Sequence, residues 1–224
     1  MKRRLNILCV IVLFVLGYSI IEHGYYFFMG AKLGAEAGME AGKEGLKSAE
    51  YKELRNLKVI GVVARGYSHA EGGFFTDSVY NEKSGEYVPA SYSSMVVSVD
   101  TNSTLWDLME SAILTFVHVG VSIWAVILFI RLIISINKSD IFNWRNVRRL
   151  RFLGVALIVS FCAQFLLAYS NMASVSKVFS IPGYDLSLVD LVSITTLVLG
   201  LCSLIVGEVF AIGLKMKEEQ DLTI

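Results

Sequence analysis

The sequence predicts an all-α membrane protein: four transmembrane helices, with a small α+β extracytoplasmic insertion between helices 1 and 2. Three observations predict it. Of the 224 residues, 54% are hydrophobic and 18% are charged, where a soluble domain carries about 25% charged residues. The apolar residues fall into four long continuous blocks with the charges between them. Lysine and arginine then concentrate in alternate connecting segments. Mean hydropathy is +0.58. A bilayer core tolerates few charges, and only helices or closed barrels satisfy their backbone within it. Continuous rather than alternating apolar runs indicate helices and not a barrel.

Span 1 covers residues 5–29 and follows Lys2-Arg3-Arg4. A signal peptide shares the basic start, and Ala35-Glu36-Ala37 loosely resembles a cleavage site. Its apolar region is about 7–15 residues long, whereas Leu5 to Ile21 alone is 17. The aromatic group Tyr25-Tyr26-Phe27-Phe28 extends the block as an interfacial belt. The segment therefore reads as an uncleaved anchor. Span 2 covers residues 111–136, span 3 residues 152–172 and span 4 residues 186–214. Each is long enough for the ~20 residues that cross a ~30 Å core.

Orientation follows from the basic residues. Lys2, Arg3 and Arg4 precede span 1. Lys138, Arg145, Arg148, Arg149 and Arg151 lie in the loop of residues 137–151. Lys215 and Lys217 open the tail of residues 215–224. The loop of residues 173–185 has only Lys177. The positive-inside bias puts the first three segments, and both chain ends, in the cytoplasm. The expected location is a membrane whose inner face meets the cytoplasm.

The segment of residues 30–110 is then outside, with 8 Lys/Arg against 12 Asp/Glu. Gly30, Gly34, Gly38 and Gly42 recur every fourth residue. On a helix that spacing forms a stripe where another backbone can approach closely. The alternative is a flexible Gly/Ala stalk. Ser48 to Leu57 continues in helix-like composition. Runs around Val59–Val63, Phe74–Tyr80, Glu86–Val88 and Ser94–Val99 are β-branched and aromatic, and Asn81 to Gly85 reads as a hairpin turn. A small antiparallel sheet follows, as a cap or as a ligand-binding module.

Ionisable and polar residues inside spans are costly, so each is a functional candidate. Glu22 and His23 sit near the outer end of span 1, where snorkelling accounts for them. His118 lies about two turns into span 2 and reads as a hydrogen-bonded packing histidine, with a proton relay as the sharper alternative. Arg131 and Glu208 lie at matched depths in spans 2 and 4. An intramembrane ion pair between Glu208 and Arg131 is expected, or between Glu208 and the loop arginines. Gln164 and Asp190 can be satisfied in the same manner.

At the cytoplasmic end, Arg145, Arg148, Arg149 and Arg151 form a basic collar. Headgroup attraction explains such a collar without a partner. The sharper reading is a docking surface shared with the acidic tail Glu218, Glu219, Gln220 and Asp221, which ends in Leu222-Thr223-Ile224. Asp140 or Asn143 can cap a helix running on into span 3.

Net charge is zero, so no direct nucleic-acid binding is expected. Cys9, Cys162 and Cys202 all lie in apolar blocks and make no metal spacing. His69 stands alone in its loop. No nucleophile, base and metal set can be assembled from three histidines at positions 23, 69 and 118. No enzymatic activity, no cofactor and no metal is expected.

Several of these residues carry a family resemblance. They are Ile141-Phe142, then Asn146-Val-Arg148-Arg149-Leu-Arg151 entering Gly154, then Glu208-Val-Phe210 with Gly213, and above all Glu218-Glu-Gln-Asp-Leu-Thr-Ile224. From about Ser111 to the C-terminus, with span 1 by position, the chain resembles the bacterial membrane family catalogued as domain of unknown function 2975 (DUF2975). It departs in Ala211, where relatives commonly carry a basic residue, and in a longer segment 30–110. The resemblance implies a four-helix membrane protein without an established activity. It also implies, by association, a helix-turn-helix regulator as the cytoplasmic partner. The leading expectation is a non-enzymatic regulatory or sensing protein. The alternatives are a small transporter or channel component lined by His118, Arg131, Gln164 and Glu208, or an envelope-structural homo-oligomer joined through Gly34, Gly38 and Gly42.

Overall fold

The fold comes from a computed structural model, which describes residues 7–15, 17–18, 21, 25, 28–29, 32, 35–36, 39, 56–65, 77–138 and 143–221. Several expectations lie outside these residues: Lys2 to Arg4, Glu22, His23, the four glycines of the outer stripe, His69, Asp140 and Leu222 to Ile224. Residues 7–15 are helical, as are Lys32, Ala35, Glu36 and Met39. Lys32 Nζ lies 3.7 Å from Glu36 one turn on.

The element order is β1 (Leu57–Ala64), β2 (Asp77–Asn81), β3 (Glu86–Ala90), β4 (Ser94–Ser98), α1 (Leu105–Asn137), α2 (Trp144–Val175), β5 (Tyr184–Ser187), a 3₁₀ turn at Val189–Leu191, and α3 (Ile194–Asp221). Among the described residues, α1, α2 and α3 are each long and apolar enough to cross a membrane.

Two compact units divide the chain. One holds residues 1–39, 115–163 and 194–224; the other holds residues 40–114 and 164–193.

The second unit contains both sheets. β1 is the centre of a three-stranded sheet, antiparallel to β4 on one side and to β5 on the other. Its alternation turns Ile60, Val62 and Ala64 into a core with Val175 and Tyr184. Gly61 is required at the centre, because a Cβ there would run into the Ser187 carbonyl oxygen of β5. Arg65 caps the strand by pairing with Asp185 at 2.8 Å. β2 and β3 form a separate antiparallel hairpin. Its turn is built by Asn81, whose side chain accepts from Lys83 N at 3.0 Å, and by Gly85 at φ +71°. Tyr80 and Tyr87 face each other across it, edge to face, with centroids 5.4 Å apart.

Three boundaries differ from those read in the sequence. Span 4 was expected from Leu186, but Tyr184–Ser187 is strand β5 and α3 begins at Ile194. Backbone pairing to β1 holds these apolar residues in the sheet, and hydropathy does not distinguish that from a helix start. The connection of residues 173–185 therefore supplies a strand, so the sheet is not confined to segment 30–110. Leu57, read as the end of a helical stretch, opens β1. Finally, α1 begins at Leu105 rather than Ser111. A capping box starts it: Asp107 accepts from Thr104 N at 2.8 Å, and Thr104 Oγ1 accepts from Asp107 N at 3.3 Å. The helix expected to run into span 3 does so, with Asn143 at its cap accepting from Arg145 N at 3.0 Å.

The first unit is organised by α2. Its partners on α1 run 118 to 160 and 131 to 149, and on α3 they run 151 to 208 and 154 to 200. Numbers that rise on one helix as they fall on the other mean antiparallel packing on both sides. Against α3 the packing is close. A Cβ on Gly154 would lie 2.6 Å from Leu204 Cγ and 2.8 Å from the Gly200 carbonyl oxygen. Gly200, Ser203, Gly207 and Ala211 place small side chains along this face of α3, the pattern that lets helices approach in lipid. Ser203 Oγ uses the approach to donate to the Leu150 carbonyl at 3.0 Å.

Candidate functional site

Two features of the first unit gather the residues that carry chemistry.

The first is the junction where α1 ends, α2 begins and α3 ends. Here the Asn146–Arg151 motif divides by helical face. Val147 is fully buried against Ala211 and Leu214 of α3. Asn146 is fully buried and accepts from Arg149 Nη1 at 3.0 Å. The same Nη1 donates to the Arg131 carbonyl of α1 at 3.2 Å. Arg151 turns to α3, where Nε donates to Glu208 Oε1 at 2.8 Å and Nη2 to Oε2 at 2.9 Å. Glu208 is placed there by its neighbour: a Cβ on Gly207 would meet Leu150 Cβ at 3.3 Å and Arg151 Cγ at 3.4 Å. The planar fork of one guanidinium matches both carboxylate oxygens.

The pairing of Glu208 with Arg131 is thus corrected. The carboxylate goes to a loop arginine, because α3 packs on α2 at this depth. Among the described residues no carboxylate pairs with the Arg131 guanidinium, which is exposed; the residue takes part through its backbone carbonyl.

At the same end Trp144 Nε1 donates to Glu218 Oε1 at 2.8 Å, so the tail helix and the start of α2 are joined. Arg145 and Arg148, three residues apart on the helix, are exposed. Glu219 and Gln220 are exposed beside Glu218 in sequence, and Asp221 ends α3. The collar is therefore two pairs: Arg149 and Arg151 hold helices together, while Arg145 and Arg148 face outward.

The second feature is a cavity of about 630 Å³ lined by α1, α2 and α3. Its wall is apolar apart from one cluster and a few hydroxyls. Nδ1 of His118 lies 3.1 Å from the Ser160 carbonyl and 3.0 Å from Ser160 Oγ, and Ser160 Oγ lies 2.9 Å from Ser122 Oγ. Ser160 is almost fully buried. These bonds join α1 to α2 as interhelical polar contacts do in lipid. In the second unit, Gln164 Nε2 donates to the Leu191 carbonyl at 3.1 Å, while Asp190 is exposed on the 3₁₀ turn rather than on a helix.

Sequence reasoning passed over Ser122, Ser160, Trp144 and the close packing at Gly154. The small-residue spacing of α3 from Gly200 to Ala211 was the available signal.

A protein-family model described as "Protein of unknown function (DUF2975)" matches residues 71–224, well over half of the chain. The match covers β2 to α3, the whole junction and the cavity; it begins inside segment 30–110, upstream of the Ser111 where the resemblance was first read, and does not include span 1. No curated protein and no solved structure matches the chain. The chain belongs to the DUF2975 family, whose described function is unknown.

Proposed function

We propose that the chain is a non-enzymatic, multi-pass protein of the bacterial inner membrane that acts as a regulatory or sensing partner of a cytoplasmic protein. In this reading residues 5–29 supply a fourth span before α1, and both ends of the chain lie in the cytoplasm. The docking surface is the helix junction, with Arg145 and Arg148 as its cationic contacts and the tail from Glu218 onward as its acidic one.

One observation carries the proposal. Four arginines cluster in seven residues, yet among the described residues only Arg149 and Arg151 hold other helices. Arg145 and Arg148 are left exposed next to Trp144, the residue that anchors the tail. Topology and headgroup attraction account for positive charge here. They do not account for an indole tying an acidic tail beside it. A helix-turn-helix regulator is the partner class implied by the family resemblance.

The test is in-membrane photo-crosslinking from position 148, with identification of the captured protein. A cytoplasmic DNA-binding protein should be captured, and the double variant R145E/R148E should abolish capture while the protein still inserts. Unchanged capture by that variant, and by a chain ending at Lys217, rejects the docking surface. Fusions of a cytoplasm-active fluorescent reporter to the C-terminus test the orientation; a dark reporter on an inserted protein rejects it.

The transporter alternative gains no specific support. His118, Gln164 and Glu208 each make an interhelical or backbone bond.

A further inference from the structure

We infer that the chain self-associates in the membrane through the exposed face shared by α2 and α3. The Arg151–Glu208 pair of one copy meets the same pair of a second copy across a two-fold axis. This goes beyond the docking reading and does not depend on it.

From Ile194 to Leu214, Glu208 is the one acidic or basic residue. It lies at the middle of α3, a helix of 28 residues. Whichever ~20 residues of α3 cross the hydrocarbon, Glu208 is among them. Its side chain is nevertheless 59% exposed, and that of Arg151 is 45% exposed. Charged groups at this depth face a bundle interior, a cavity or another charge rather than lipid. Pairing lessens the cost of each charge, but an ion pair turned to hydrocarbon still forfeits its hydration. Snorkelling serves the long stems of lysine and arginine; a glutamate at the middle of its helix is too short for it. A polar surface covers the pair.

Charge complementarity selects a second copy. Residues 5–21 and 152–172 contain no charged side chain, and residues 111–137 contain only the cation Arg131. The complement to an arginine beside a glutamate is a glutamate beside an arginine, which the same face of another copy presents. A two-fold contact requires such a self-complementary patch. For copies inserted in the same direction the axis runs along the membrane normal, so it preserves depth. Arg151 and Glu208 share one depth, since Nε and Oε1 are 2.8 Å apart. The axis therefore sets each guanidinium opposite the other copy's carboxylate. Both groups have capacity left: a guanidinium has five donors and a carboxylate about four acceptor sites, of which this pair joins Nε to Oε1 and Nη2 to Oε2. Around the pair, Val155 is one turn from Arg151, and Leu201, Ile205 and Ile212 stand at helical spacing from Glu208, all exposed. These apolar side chains suit lipid and a like surface equally, so the ion pair decides between them.

The test follows energy transfer between donor-labelled and acceptor-labelled full chains in liposomes as lipid is added. Wild-type transfer should fall on dilution and be competed by unlabelled chain. R151E/E208R should associate with itself as the wild type does, because its face is again self-complementary. It should associate with the wild type about tenfold more weakly, since like charge then opposes like charge; one interhelical polar contact has that scale. R131Q should leave self-association unchanged. In a chain whose own cysteines are replaced, I205C should cross-link to itself and F116C, on α1, should not. A wild-type chain that stays monomeric overturns the inference. So does R151E/E208R associating equally well with itself and with the wild type. A loss in R131Q, or cross-linking at F116C in place of I205C, moves the contact to α1 and overturns it too. The wild-type dilution series decides the matter even where the reversed variant fails to insert.

Discussion

Glu208 of α3 takes both its hydrogen bonds from one side chain, the guanidinium of Arg151 on α2, at 2.8 and 2.9 Å. The contact ties the first third of α2 to the middle of α3. It also decides which arginines of the collar remain exposed. Replacing Arg151 leaves a carboxylate beside an apolar helix face without its cation.

R151Q should therefore lower the thermal unfolding temperature of the detergent-solubilised protein, while R131Q leaves it unchanged, because the Arg131 contribution is a backbone carbonyl. The swapped pair R151E/E208R should recover most of the loss. An equal loss from R131Q and R151Q would refute the assignment.

The Gly154–Gly200 crossing predicts a large effect from a small side chain. G154A already pushes against Leu204 and the Gly200 carbonyl, and overpacking of this kind costs about 1–3 kcal/mol. G120A is the control: nothing lies within 4 Å of a Cβ at Gly120. It should be neutral or up to about 1 kcal/mol stabilising through helix propensity. Chemical unfolding in mixed micelles measures both.

G61A should separate β5 from β1, since the added methyl meets the Ser187 carbonyl. Hydrogen exchange should accelerate at the amides of Tyr184 to Ser187, while the β2–β3 hairpin, a separate sheet, exchanges as before. Protection that survives at β5 would contradict the register.

W144F keeps an aromatic ring but removes the donor to Glu218 Oε1. Tryptic cleavage at Lys215 and Lys217 should become roughly fivefold faster, the scale of one net hydrogen bond. A change at Glu218, E218Q, retains an acceptor and should have the smaller effect. Equal cleavage rates in all three chains would sever the tail from α2.

Legible in composition and spacing alone were three helices long and apolar enough to cross a membrane, the β2–β3 hairpin with its Asn81 to Gly85 turn, and a cap for α2 at Asp140 or Asn143. These are local properties: hydropathy over twenty residues, backbone preference at a turn, a side chain reaching its own helix end. The sequence also supplied the depth of Glu208 and its need for an arginine. It could not choose between Arg131 and Arg151, because equal depth is a one-dimensional fact and pairing depends on which helix is the neighbour. Only the tertiary structure decided that. Gly154, Gly200 and Gly207 bring α2 against α3, so Glu208 reaches Arg151. The same holds for β5, an apolar run that strand pairing with β1 takes from the start of a helix, and for His118. That residue was visible from the first, but its partner Ser160, 42 residues away, was not.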